Sequence, residues 1–317
     1  MDKGIPTWFE HVKSKLSTGQ TIGLDFSQYP ASALETRTTY FTEAEMTVKS
    51  VPNLVDAVWD ERPPRPVEPV KVLAMEYAGK SSLDKQSQIA DKLKDAKYEA
   101  LLVTTLDDIC WLTNFRGTDI EYNPVFFAYA LFYPKRAAEE SRTVLFINET
   151  KVAAVRDYLT EQKIEVRPYE AINEQLVEYN STGVKVGVHV ETCNAELHRL
   201  CKDVAVKSSN TIKDTKCLKN KTEQAGMIAC NIRDCAAIMK YFAMLEEELR
   251  KPDHSLTEFS GARYLDNLRT EGALHQGPSF DTISSIGANG AVIHYKPEEG
   301  TCLALNNNEI YLLDSGG

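Results

Sequence analysis

The sequence predicts an α/β region followed by an α+β region. Three observations carry this. From about residue 80 to 213 helix-like and strand-like stretches alternate, the order of a mixed sheet flanked by helices. After Lys213 the order becomes two helices, the first of them long, and then antiparallel strand candidates. Before both regions, a proline-dense stretch at residues 62–69 sets off a short α/β piece. Proline fixes φ and removes backbone donors, so this stretch is expected to be extended and outside any sheet.

The elements can be justified in order. Thr7 and Glu10 have the spacing of a capping box, and Trp8, Val12 and Leu16 recur behind it at helical spacing. Residues 21–25 read as a strand, in a piece too small to bury much core alone. Helices are expected near 83–97, 105–112, 151–160 and 170–178, and strands at 100–104, 125–133, 143–147, 164–168 and 184–190. A long amphipathic helix is predicted over 222–250, with Ile228, Ile232, Cys235, Met239, Phe242, Leu245 and Leu249 as its core stripe. Cys230 and Cys235 read as packing residues of the same helix. A further helix follows Ser255 and Glu258, again with capping-box spacing. Strands at 282–286 and 291–295 flank Asn289-Gly290, a strong hairpin signal, and 309–314 is a third strand. The chain stops just after it, so we expect a sequence truncated within its last domain.

Composition narrows the function. The 317 residues suggest about two domains, and 43% hydrophobic with 26% charged residues suits a folded core rather than disorder. A net charge of −10 opposes a nucleic-acid or anionic-membrane surface. The opening residues 1–6 carry no apolar stretch of signal-peptide length. The longest apolar run, 125–133, falls well short of the roughly 20 residues that span a bilayer. Seven cysteines, with no C-x-x-C, do not make a disulfide framework, which points to a reducing compartment.

Few residues suggest chemistry. Asp314 shares a strand face with Ile310 and Leu312. A carboxylate on an apolar face is costly unless paired, hydrogen-bonded or coordinated, although a strand-end Asp also caps turns such as Ser315-Gly316-Gly317. His294 would share a face with Val292, either as a half-buried histidine bonded to backbone or as a proton shuttle or substrate donor. His189, Cys193, His198 and Cys201 imitate a zinc set, but their spacing is irregular, and we read it as coincidence. No dinucleotide, P-loop, H-E-x-x-H or G-x-S-x-G motif occurs.

Several blocks together resemble aminopeptidase P, the Xaa-Pro aminopeptidases of the creatinase/prolidase superfamily, in their three-domain eukaryotic cytosolic form. They are residues 53–59 with Arg62-Pro63, Tyr77-Ala78-Gly79-Lys80, the long block 106–126 containing Asn114-Phe115-Arg116-Gly117, residues 282–285 with 291–295, and 311–316. The resemblance implies that 1–75 is the later part of a first creatinase N-terminal-like α/β domain and 76–213 a complete second one. It makes 214–317 the opening of a pita-bread catalytic domain. It also implies removal of the N-terminal residue from peptides with proline second, two divalent metal ions (often manganese), a cytoplasmic location and a homodimer; the charge and the short apolar run read above add the expectation of no nucleic-acid or membrane partner. In such enzymes the ions activate a hydroxide and polarise the scissile carbonyl. Asp314 matches the first Asp metal ligand, and His294 a histidine that assists substrate binding and proton movement. The other ligands would follow Gly317, and one carboxylate cannot hold two hard cations, so the chain alone is expected to be inactive. Two alternatives remain: a pita-bread module that binds peptides or proteins without catalysis, and a prolidase or creatinase. The Asn114-Phe115-Arg116-Gly117 block favours aminopeptidase P over the latter.

Overall fold

The computed structural model describes residues 4–135 and 140–317; Met1, Asp2 and Lys3, part of the opening read above, lie outside the described residues. The chain forms two compact units. One comprises the residues up to Asp119 together with Val125–Leu218, the other Ile120–Pro124 together with Lys219–Gly317.

In the first unit, α1 (Trp8–Lys15) starts on the expected capping box: Thr7 accepts from the Glu10 N–H while the Glu10 carboxylate receives the Thr7 N–H. Strand β1 (Thr21–Leu24) pairs in parallel with β2 (Thr47–Ser50), and α2 (Ala31–Thr42) packs Phe41 with Ile22 and Met46. This small piece docks on the segment 189–195. The Ala31 N–H donates to the Cys193 carbonyl and the Ala195 N–H to the Tyr29 carbonyl, both at 2.8 Å, and Ala31 and Leu34 pack against Ala195. The proline stretch forms neither helix nor strand, with Arg65 stacked over Tyr169 and paired with Glu170.

The second part of this unit runs β3 (Lys71–Val72), α3 (Met75–Ala78), α4 (Ser82–Lys92), β4 (Ala100–Val103), α5 (Leu106–Thr113), β5 (Phe115–Arg116), β6 (Tyr129–Tyr133), β7 (Arg142–Phe146), α6 (Arg156–Glu161), β8 (Ile164–Arg167), α7 (Ala171–Thr182), β9 (Val186–Val188), α8 (Ala195–Leu200), β10 (Ala205–Lys207) and α9 (Thr211–Cys217). Six strands form one mixed sheet in the order β10-β9-β4-β6-β7-β8, antiparallel on both sides of β6 and parallel elsewhere. Alternation explains why both faces are covered. Leu101, Val103, Phe132 and Leu145 meet Ile89 and Ile109 on one face, whereas Ala100, Leu102, Leu131 and Val144 meet Ile172, Leu176 and Leu197 on the other.

The predicted strand 125–133 is paired only over β6. Its first half is buried but bonded elsewhere: the Val125 carbonyl receives the Asp119 N–H, and the Phe127 N–H donates to the Asp119 carboxylate at 2.7 Å. Gly117 is required here, because a Cβ would stand 2.7 Å from the Phe126 Cβ and 2.9 Å from the Val125 carbonyl oxygen.

The second unit is built on α10 (Lys221–Glu248), α11 (Glu258–Thr270), β11 (Ile283–Ile286) and β12 (Tyr311–Asp314). Three expectations need correction. The apolar stripe assigned to the core of α10 is largely outside: Ile228, Ile232 and Met239 are 64%, 66% and 72% exposed, and Cys230 and Cys235 are exposed too. The helix carries apolar residues on more than one face. Ala237, Tyr241 and Leu245 are the ones that meet Leu265 and Ile286. The cap of α11 is Thr257 rather than Ser255, bonded reciprocally with Ser260. The Asn289-Gly290 hairpin does not form. Such a two-residue turn needs positive φ at both positions, and neither has it. β11 pairs instead with β12, antiparallel, and residues 287–291 make a 3₁₀ turn. Among the described residues, no helix is long and apolar enough to cross a membrane.

Candidate functional site

The β11–β12 pair fixes Asp314. Ile283 stands opposite Asp314 and Ile286 opposite Tyr311. Tyr311 and Leu313 face the core formed with α10 and α11, so Leu312 and Asp314 face outward. Asp314 does share a face with Ile310 and Leu312, but that face is open: Ile310 is 85% exposed and Asp314 itself is exposed. The burial cost invoked from the sequence therefore does not act on Asp314 in this chain.

Just beyond Asp314 the backbone is pinned from two sides. The Ser279 N–H donates to the Gly316 carbonyl at 2.9 Å. Arg269, from α11, donates through Nη2 to Ser315 Oγ at 3.1 Å and through Nε to Asp234 of α10 at 2.6 Å. Arg269 is 5% exposed, and its Nη1 is buried without a hydrogen-bond partner. Below the strands, hydroxyls replace apolar packing: Tyr241 bonds Tyr311 at 2.6 Å, and Ser284 bonds Tyr311 at 2.9 Å.

His294 is not on a strand. It lies exposed in a turn with a left-handed φ of 56°, and Val292, its expected face partner, is exposed in the same turn. The turn is tied down by its neighbours. Tyr295 reaches inward to Glu258, and burial, then the Glu258 carboxylate, push its phenol up to about 12. Lys296 pairs with Asp281 at 2.7 Å, and Asp281 also receives the Tyr122 hydroxyl at 2.6 Å. The Lys296 hydrogen bond and then that of Tyr122 hold the Asp281 carboxyl below its ordinary range. Tyr122 itself has a left-handed φ of 63°, so the excursion Ile120–Pro124 contributes a constrained residue to this unit.

Sequence reasoning passed over Arg269, Asp234, Tyr122 and Asp281, which have no local signature because their partners are distant in the chain. The spacing of Ser255 and Glu258 suggests a capping role for Glu258, but the cap is made by Thr257 and Ser260, and the Glu258 carboxylate is bonded to Ile286, Asn289, Tyr295 and Leu303. Of the zinc-like set, Cys193 and Cys201 lie in the apolar core, where burial raises their thiols to about 12 and about 11. His189 Nδ1 bonds the Thr192 hydroxyl. Among the described residues no group of three or more His, Cys, Asp or Glu is arranged to hold a metal ion. Asp314 alone does not fit a two-metal centre.

Residues 61–223 match the Creatinase/Prolidase N-terminal domain family, and residues 225–317 match metallopeptidase family M24. The chain belongs to the creatinase/prolidase superfamily that these two domains define. Within it, the chain is 39% identical to a probable Xaa-Pro aminopeptidase P of Sordaria macrospora, over 98% of this chain and 52% of that one. It is also 39% identical to a probable Xaa-Pro aminopeptidase P of Laccaria bicolor, over 99% of this chain and 49% of that one. Its structure is similar to an X-prolyl aminopeptidase of Caenorhabditis elegans, described as a cytosolic enzyme with a di-nuclear active site. The TM-score is 0.90 at 29% identity, covering 99% of this chain and 52% of that one. The chain spans about half the length of the curated relatives it matches.

Proposed function

We propose that these residues form part of a metal-dependent Xaa-Pro aminopeptidase, which releases the N-terminal residue from peptides with proline in second position. The observation that supports this most is the resemblance to the nematode enzyme over 99% of the chain at a TM-score of 0.90. In this reading Asp314 is one metal ligand of a two-metal centre, manganese being our first choice of ion. Its outward direction from β12 leaves the carboxylate free for that role. The remaining ligands come from a segment of the kind that makes up the other half of the relatives, and residues 1–317 alone are inactive. His294 is the substrate-side histidine, able to bind substrate or move a proton. We further propose the division into 1–75, 76–213 and 214–317, a homodimeric parent and a cytoplasmic location.

The test uses a chain of the relatives' length that contains residues 1–317. With manganese added it should cleave an Xaa-Pro-Yaa peptide in preference to an Xaa-Pro dipeptide, and His294→Ala should lower kcat/KM without changing metal content. Binding of the peptide without cleavage would favour a non-catalytic module, and preference for the dipeptide a prolidase.

A further inference from the structure

Glu258 is the most heavily engaged buried carboxylate among the described residues of its unit, and none of the roles above uses it. It is fully buried. Oε1 receives the Ile286 N–H at 2.7 Å, and Oε2 receives the Leu303 N–H at 2.8 Å and the Tyr295 hydroxyl at 2.6 Å. The Asn289 amide donates to both oxygens, at 3.1 and 3.0 Å, and also to the Tyr295 hydroxyl at 3.0 Å. Four donors thus fill the roughly four acceptor sites of an ionised carboxylate.

The partners matter more than their number. Ile286 ends β11, the strand paired with the one that carries Asp314. Asn289 and Tyr295 lie on either side of Val292, and Tyr295 directly follows His294. Leu303 closes the far end of the same loop. One carboxylate therefore ties the His294 turn to the Asp314 sheet from below, while the imidazole itself stays exposed. Outside this carboxylate the turn is held by the Lys296–Asp281 pair and by its own backbone bonds, from the Val292 N–H to the Asn289 carbonyl and from the Tyr295 N–H to the Val292 carbonyl, while His294 takes a left-handed φ and Val292 and Ile293 are exposed. We infer that Glu258 is the positioning residue of the His294 turn, setting where the imidazole stands relative to the β12 strand. This deepens the reading of His294 given above and rests on it for its catalytic meaning, though not for its geometry.

The chemistry requires an acid. All four partners are donors, so an amide at this position would set its own NH₂ against at least one of them. Glu258→Gln is isosteric and still breaks the set. Tyr295→Phe removes a single donor and leaves both backbone bonds to Glu258 intact, which makes it the milder variant. Thr282→Val, whose hydroxyl bonds Asp266 outside the turn, is the control.

The experiment uses the 317-residue chain with ¹³C-labelled histidine, the His294 signal being assigned with His294→Gln, together with hydrogen exchange. Tyr295→Phe should speed exchange of residues 287–296 by roughly tenfold and shift the His294 signal, with α10 protection unchanged. Glu258→Gln should do the same more strongly, and Thr282→Val should do neither. A folded Tyr295→Phe protein whose turn and His294 signal match the wild type would overturn the inference. So would a Thr282→Val protein that disturbs the turn equally. In the longer chain, Glu258→Gln should lower kcat for an Xaa-Pro-Yaa peptide with metal content unchanged. If the turn responds as stated but His294→Ala costs no activity, the positioning stands and the substrate role of His294 falls.

Discussion

Single residues separate what holds the fold from what is free for chemistry. Lys151 and Asp119 form an ion pair 2.5 Å apart whose side chains are 2% and 0% exposed, and Asp119 also fixes the Phe127 N–H. Removing one partner leaves the other buried and charged, so Asp119→Asn should cost about 3–5 kcal/mol in a urea titration. A loss under about 1 kcal/mol would mean that water reaches the pair. Lys216 gives a pH signature. It contacts the Asp107 carboxylate and lies 2.6 Å from Asp108. Burial pulls the Asp107 carboxyl up, but the hydrogen bond and charge of Lys216 outweigh it and hold the group below its ordinary value of 3.8. A carboxyl with a depressed folded value stabilises above its unfolded value, and that stability is lost as pH falls through the depressed one. Wild type and Lys216→Met should therefore differ in stability at pH 6 and converge as pH drops below about 4. A gap that persists at low pH would contradict the assignment. Asp314 behaves differently. Being exposed, it should tolerate Asp314→Ala with a change within about 0.5 kcal/mol in the 317-residue chain.

At the scale of elements, the exposed stripe of α10 is directly testable. Leu245→Ala should cost about 2–5 kcal/mol, whereas Met239→Ala should cost less than about 0.5 kcal/mol in this chain. The reverse order would restore the packing expected from periodicity. The error has a physical source. Residues at three- and four-residue spacing define a face but not its neighbour, and α10 offers two such faces. Where one periodicity had one possible partner, the reading worked: Ala100 to Val103 and Thr143 to Phe146 are sheet strands, and Thr7 caps its helix. The Asn289-Gly290 signal failed because Asn289 spends its side chain on Glu258, a contact 31 residues away that no local rule detects. Much of the family's long central block turns out to be structural. Asn114 caps α5 with a left-handed φ, donates to the Lys80 carbonyl and receives the Lys85 ammonium. The ligand role proposed for Asp314 rests on the resemblance alone, since the apolar face it shares with Ile310 and Leu312 is not buried.

For the whole molecule, the two compact units predict unfolding that departs from a single two-state transition, since separate cores need not melt together. The second unit ends on the two-stranded pair β11–β12, and open strand edges invite pairing with other chains. Ile310 and Leu312 add exposed apolar surface beside it. We expect the 317-residue chain to self-associate with rising concentration, as read by light scattering after gel filtration. A sharp, monodisperse monomer peak across the range would contradict this. The proposed role of Asp314 as a metal ligand of an Xaa-Pro aminopeptidase is open to one paired measurement. Metal content and Xaa-Pro-Yaa hydrolysis would be compared between wild type and Asp314→Ala in a chain of the relatives' length. Wild type should bind two divalent ions and release the first residue, and the variant should show depleted metal and activity down by at least about 100-fold. Equal metal content and equal turnover in the two proteins would contradict it.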